Sequence, residues 1–205
     1  MLVVGLTGSI AMGKTETARM FARLGYPVFD ADAVVHRLYD TGGAAVPLIE
    51  RAFPGTVADG KVDRSRLADQ VTGDPEALAR LESIVHPLVR REQQAFLESA
   101  RTEQHAFAVL DIPLLFETGR DREVDAVVVV SAPEDVQKDR VLARPGMTEE
   151  KFAAILARQM PDSEKRRRAG FVVDTSKGLE AAFEQVQAIA DQLESRRDHD
   201  ARDRP

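Results

Sequence analysis

The sequence predicts an α/β protein whose core is a five-stranded parallel sheet flanked by helices. Three observations carry this. Five short apolar runs, roughly residues 2–7, 27–30, 106–111, 125–131 and 170–174, are separated by stretches with helical spacing. Strands that alternate with helices in this way build a parallel sheet. The stretch Gly8-Ser9-Ile10-Ala11-Met12-Gly13-Lys14-Thr15 fits G-x-x-x-x-G-K-S/T, the phosphate-binding P-loop, and lies between the first strand and a helix, where that motif belongs. Finally, residues 33–103 hold helical patterns but no convincing core strand, and read as a helical insertion between two sheet strands.

Composition bounds the rest. A chain of 205 residues, 43% hydrophobic and 30% charged, suits one soluble α/β domain with embellishments. Cysteine is absent, which excludes disulfides and thiolate metal sites. No apolar run approaches the ~20 residues of a membrane span, and no basic segment precedes an apolar core at the start. A cytoplasmic location is expected. The net charge of −6 argues against general nucleic-acid affinity.

The elements follow in order. Leu2 to Thr7 is apolar and β-branched, a buried strand. From Lys14 to Leu24, Ala18, Phe21, Ala22 and Leu24 recur with helical spacing. Gly25 stops that helix, and Val28-Phe29-Asp30-Ala31-Asp32 reads as a strand ending in acids. If it stays extended, Asp30 and Asp32 point to one side, at the strand end where open α/β sheets bind ligands. Helical patterns follow at Ala33–Tyr39 and Val46–Phe53, then a tight turn at Asp59-Gly60. Asp74-Pro75 opens a helix that Pro87 is expected to break, with Leu88 to Arg101 forming a second one. The strands Ala106–Asp111, Asp125–Ser131 and Gly170–Asp174 alternate with helices starting near Pro133 and Thr148, and Gly178–Leu193 closes the fold. Ser195 to Pro205 is densely charged without an apolar anchor, and disorder is expected there.

The P-loop binds a nucleoside triphosphate with Mg²⁺. Gly8 and Gly13 let backbone amides approach the phosphates. The helix starting at Lys14 presents its positive end. Lys14 adds a charge between the outer phosphates, and the Thr15 hydroxyl is placed to ligate Mg²⁺. GTPases read guanine with Asn-Lys-x-Asp, and this chain has no asparagine. A small-molecule kinase is favoured by the acid pair and by an arginine-rich helical segment, Arg140, Arg144, Arg158 and Lys165 to Arg168, that suits a lid closing over the transferred phosphoryl group.

The ordered motifs resemble those of dephospho-CoA kinases. They are Gly5-Leu6-Thr7-Gly8-Ser9-Ile10 with the P-loop, Val28-Phe29-Asp30-Ala31-Asp32, His86-Pro87-Leu88-Val89-Arg90, Asp111-Ile112-Pro113-Leu114-Leu115-Phe116-Glu117, Gln137 to Arg144 with Met147-Thr148-Glu149, and Arg158-Gln159. The resemblance implies ATP-dependent phosphorylation of the ribose 3′-hydroxyl of dephospho-CoA, with ATP and Mg²⁺. It also implies a nucleotide-binding core (1–32, 104–132, 169–194), a helical CoA domain (33–103) and a lid (133–168). A monomer or weak homo-oligomer without membrane or nucleic-acid partners is expected.

On this reading Asp32 is the catalytic base, with Lys14, Arg140 and Arg144 acting on the phosphoryl group. Gly8, Ala11, Met12, Gly13, Lys14, Thr15 and Glu16 hold the nucleotide. Thr15 and Asp111 serve Mg²⁺, and Asp30 orients the site or reaches the metal through water. Pro113, Leu114 and Phe116 wall the substrate pocket. Glu117 meets a substrate hydroxyl or an arginine. Arg90 and Arg37 meet the diphosphate, while His86 caps or packs in the helical domain. Three positions depart from the family pattern: Ala11 replaces a loop glycine and is tolerable at negative φ, Thr15 replaces serine, and Thr175 follows Asp174 where asparagine is frequent. Another small-molecule or nucleotide kinase on the same core, or a nucleotide-dependent switch, fits the loop alone.

Overall fold

The computed structural model describes residues 1–202. The chain forms two compact units, one of Met1–Phe29 with Ala100 onward, the other of Asp30–Ser99.

The first unit is built on a parallel sheet of order β2-β5-β1-β6-β7. Its strands are β1 (Leu2–Gly8), β2 (Val28–Asp30), β5 (Phe107–Asp111), β6 (Ala126–Ser131) and β7 (Phe171–Asp174). In the register, Leu6 of β1 pairs with Asp111 of β5, Gly8 with Val130 of β6, and Ser131 with Asp174 of β7. The ends of β1, β5, β6 and β7 therefore lie along one edge of the sheet, the P-loop among them. Both faces are covered, which explains why β5 is buried at every position. Helices α1 (Lys14–Arg23) and α9 (Leu179–Arg202) pack together on one face. Phe107 anchors that layer, with Phe21 edge-on at 6.0 Å and Tyr26 stacked at 4.0 Å. Removing such a ring from a packed core costs about 3–5 kcal/mol. Between β6 and β7 run α6 (Glu134–Leu142), α7 (Glu149–Leu156) and α8 (Asp162–Arg168).

The second unit holds α2 (Ala31–Tyr39), α3 (Val46–Ala52), α4 (Arg64–Val71) and most of α5 (Pro75–Thr102). Between α3 and α4, β3 (Val57–Ala58) and β4 (Lys61–Val62) form a small antiparallel hairpin around the turn at Asp59-Gly60.

Three expectations are corrected. Pro87 does not break its helix: α5 runs unbroken for 28 residues. Ser83, whose carbonyl loses its helical partner, and Pro87 are both exposed, so the proline does not force a buried polar group to go unpaired. The apolar stripe of Leu81, Ile84, Val85, Leu88 and Val89 continues across the proline. The second strand does not stay extended to Asp32. Asp30 Oδ1 accepts a bond from the Ala33 amide at 2.9 Å and caps α2, so Asp30 turns the chain into the helix and Asp32 lies in its first turn. The charged end is not disordered from residue 195 onward, because α9 extends to Arg202. Glu194 accepts from the Tyr26 hydroxyl and Arg196 lies over the Phe171 ring, contacts that charge patterning does not reveal. Residues 203–205 of that expectation lie outside the described residues.

Candidate active site

The P-loop leaves β1 at Gly8. A Cβ there would stand 2.7 Å from the Val130 carbonyl oxygen of β6, so Gly8 is required by the close approach of the two strands. Gly13 has φ +96° and caps α1, with its carbonyl accepting from the Thr17 amide at 3.1 Å. Met12 is buried beneath the loop, and its Sδ accepts from the Ala132 amide at 3.1 Å. Thr15 and Glu16 are exposed on the first turn of α1, and Glu16 pairs with Arg19. The condition under which Ala11 is easily tolerated, a negative φ, is not met: it stands at φ +60°. An L residue there is strained by about 1–2 kcal/mol.

Lys14 forms an ion pair with Asp111 at the end of β5. The β1–β5 register places these strand ends side by side. The lysine and the acid therefore form one unit at the mouth of the loop. Asp111 and the exposed Thr15 hydroxyl carry oxygen donors of the kind Mg²⁺ takes. No group of three potential His, Asp or Glu metal ligands exists among the described residues.

On the other side of the loop, Arg140 donates to the Thr175 hydroxyl at 2.8 Å and to its carbonyl at 2.7 Å. Thr175 in turn donates to the Met12 carbonyl at 2.8 Å. Gly13, Thr17, Met20, Arg140, Thr175 and Leu179 line a slot here, with Leu179 65% exposed on its wall. A largely apolar slot beside a guanidinium suits a planar base. Arg140 thus stands at the wall of this slot, held there by Thr175. Arg144 is exposed at the turn after α6 and does not join this group.

After β5, Thr7 donates to the Pro113 carbonyl at 3.2 Å. Pro113 and Leu114 are exposed, while Phe116 is buried with Arg168 over its ring. Glu117 is corrected to an internal role. Its Oε1 accepts from the Met160 amide at 2.7 Å and lies 2.9 Å from the ammonium of Lys165. Burial pushes the Glu117 carboxyl up, but Lys165 and the Met160 amide more than offset this and hold it below its ordinary value. Lys165 itself is wholly buried, so it does not belong to the exposed arginine run beside it.

Asp32, Arg37 and Arg90 belong to the second unit and are all exposed, Asp32 and Arg37 on α2 and Arg90 on α5. His86 is exposed as well and does not pack as expected.

Sequence reasoning assigned no role to Gln137 and Gln159. Gln137 Nε2 donates to the Ile10 carbonyl at 2.8 Å, and Gln159 Oε1 accepts from the Ile10 amide at 3.1 Å. The available signal was Gln137 and Val141, four apart, on the buried face of α6.

The family model described as Dephospho-CoA kinase matches residues 2–181. A dephospho-CoA kinase of Mesorhizobium japonicum is 62% identical over 197 residues, 96% of this chain and 99% of that one. Another, from Agrobacterium fabrum, is 61% identical over 94% of this chain and 98% of its own length. Among solved structures, TT1252 from Thermus thermophilus aligns with a TM-score of 0.77 at 36% identity, over 94% of this chain and 97% of that one. Dephospho-CoA kinase from Campylobacter jejuni shares the fold, with a TM-score of 0.68 at 22% identity over 93% and 96% of the two chains.

Proposed function

This chain belongs to the dephospho-CoA kinase family, and from that premise we propose how its residues divide the work. The reaction is transfer of the γ-phosphoryl group of ATP to dephospho-CoA, the final step of coenzyme A synthesis. The acceptor atom is the ribose 3′-hydroxyl.

The observation that carries the division of roles is the Lys14–Asp111 pair at the mouth of the P-loop. When ATP binds, the Lys14 ammonium transfers from Asp111 to the outer phosphates. The amides of the loop and the start of α1 take the remaining charge. Asp111 and Thr15 would hold Mg²⁺, which would neutralise charge at the phosphates. The adenine occupies the slot between Arg140 and Leu179. Arg144 approaches the transferred group when the segment 133–168 closes. Pro113, Leu114 and Phe116 wall the acceptor site, and Arg37 and Arg90 meet the acceptor's diphosphate.

Asp32 accepts the proton of the 3′-hydroxyl as the new bond to phosphorus forms. The support is its place in the acid-bearing motif shared with the family, on the first turn after β2. The enzyme acts in the cytoplasm. No described helix is long and apolar enough to cross a membrane.

Incubating the protein with ATP, Mg²⁺ and dephospho-CoA tests the reading. Mass spectrometry should find one added phosphate on the acceptor and an equal yield of ADP. ADP formation without acceptor modification would defeat it.

A further inference from the structure

Gln137 lies on α6 and Gln159 in the turn after α7, yet both close on a single residue of the P-loop. One donates to the Ile10 carbonyl at 2.8 Å, and the other accepts from the Ile10 amide at 3.1 Å. The peptide groups on either side of Ile10 are therefore each fixed from outside the loop. The next residue is Ala11, at φ +60°. Residues other than glycine rarely hold that conformation, and it persists where the surroundings over-determine it. The Met160 amide, next to Gln159, donates to Glu117 at 2.7 Å, so one turn ties the P-loop to the segment after β5.

We propose that Gln137 and Gln159 are positioning residues for ATP binding: they clamp Ile10, keep Ala11 left-handed, and so keep the loop's amides aimed at the triphosphate. The proposal rests on the kinase reading for the location of the phosphates. Neither glutamine needs to touch ATP. Their effect passes through the backbone of residues 10 and 11.

The test uses the full chain with Gln159→Met and Gln137→Met, each alone and combined with Ala11→Gly. Methionine keeps the volume and removes the amide. ATP dissociation constants are measured directly, and kcat and KM for ATP at saturating dephospho-CoA. Each methionine variant should weaken ATP binding about tenfold, the effect of one lost hydrogen bond. Loop contacts to the phosphates act in the ground and transition states alike, so kcat should stay within about twofold. Adding Ala11→Gly should recover most of the lost affinity, because glycine enters positive φ without the strain that the clamp offsets in alanine.

A packing role alone would not produce that recovery. ATP affinity within about twofold of wild type in both methionine variants overturns the proposal, and so does an Ala11→Gly that recovers nothing. Gln137 is only 4% exposed. If Gln137→Met fails to fold, as thermal melting would reveal, the partly exposed Gln159 pair decides alone. A wild-type protein that binds ATP but leaves dephospho-CoA unmodified would break the reading of function and leave this comparison intact.

Discussion

Lys165 has no side-chain surface in solvent and lies 2.9 Å from Glu117 Oε1. The Lys165 ammonium lacks the alignment of a hydrogen bond, and Glu117 Oε2 is buried without a partner among the described residues. Such a pair contributes little net stability, but breaking it from one side strands a buried charge. Glu117→Gln or Lys165→Met alone should each destabilise the protein by about 3–5 kcal/mol. The double variant, with no charge left to strand, should recover most of that loss. Urea unfolding of the four proteins checks this. Additive losses in the double variant would show that the two groups are not coupled.

The same pair sets an acid dependence. The Glu117 carboxyl is held below its ordinary value of 4.5 in the fold. Its contribution is therefore complete above that value and is lost as pH falls through the lower, folded value. The stability difference between wild type and Glu117→Gln should be constant near neutrality and shrink as pH drops below about 4.5. Melting curves across that acid range measure it. A difference that stays constant with pH would remove Glu117 from the acid response.

Thr175 joins Arg140 to the Met12 carbonyl of the P-loop through one hydroxyl. Thr175→Val keeps the shape and removes that link. Binding of ATP should weaken about tenfold, while affinity for dephospho-CoA should not change. Calorimetry on each ligand separates the two. Unchanged ATP affinity would mean that the slot needs no help from residue 175.

The sheet was legible because parallel strands buried on both faces leave apolar runs, and β6 is one of them. The P-loop was legible because its motif sits in its own local context. What stayed hidden depends on long-range partners. Lys165 reads as one more lid cation within Lys165-Arg166-Arg167-Arg168, and only its pairing with Glu117 sets it apart. The glutamines on Ile10 are joined by folding and not by spacing. Asp30 and Asp32 are both acceptable helix caps in sequence, and the choice fell to the backbone at the end of β2. Pro87 misled because local rules count the lost hydrogen bond and not the solvent available to its partner.

Asp30 caps α2 through the Ala33 amide, which leaves the exposed Asp32 carboxylate free of that structural duty. A ribose hydroxyl attacks phosphorus well only as its proton is taken, and a placed carboxylate supplies roughly 10²–10⁴-fold in rate. Asp32→Asn keeps the shape and removes the basic oxygen. Its kcat should fall by roughly 10²–10⁴-fold. ATP affinity and melting temperature should stay at wild-type values, because the change is exposed and remote in sequence from the loop. Asp30→Asn retains an oxygen for the cap and should keep most of its turnover. The contrast between the two neighbouring asparagines is the decisive measurement. Near-normal turnover in Asp32→Asn, or an equal collapse in both, would take the base role away from Asp32.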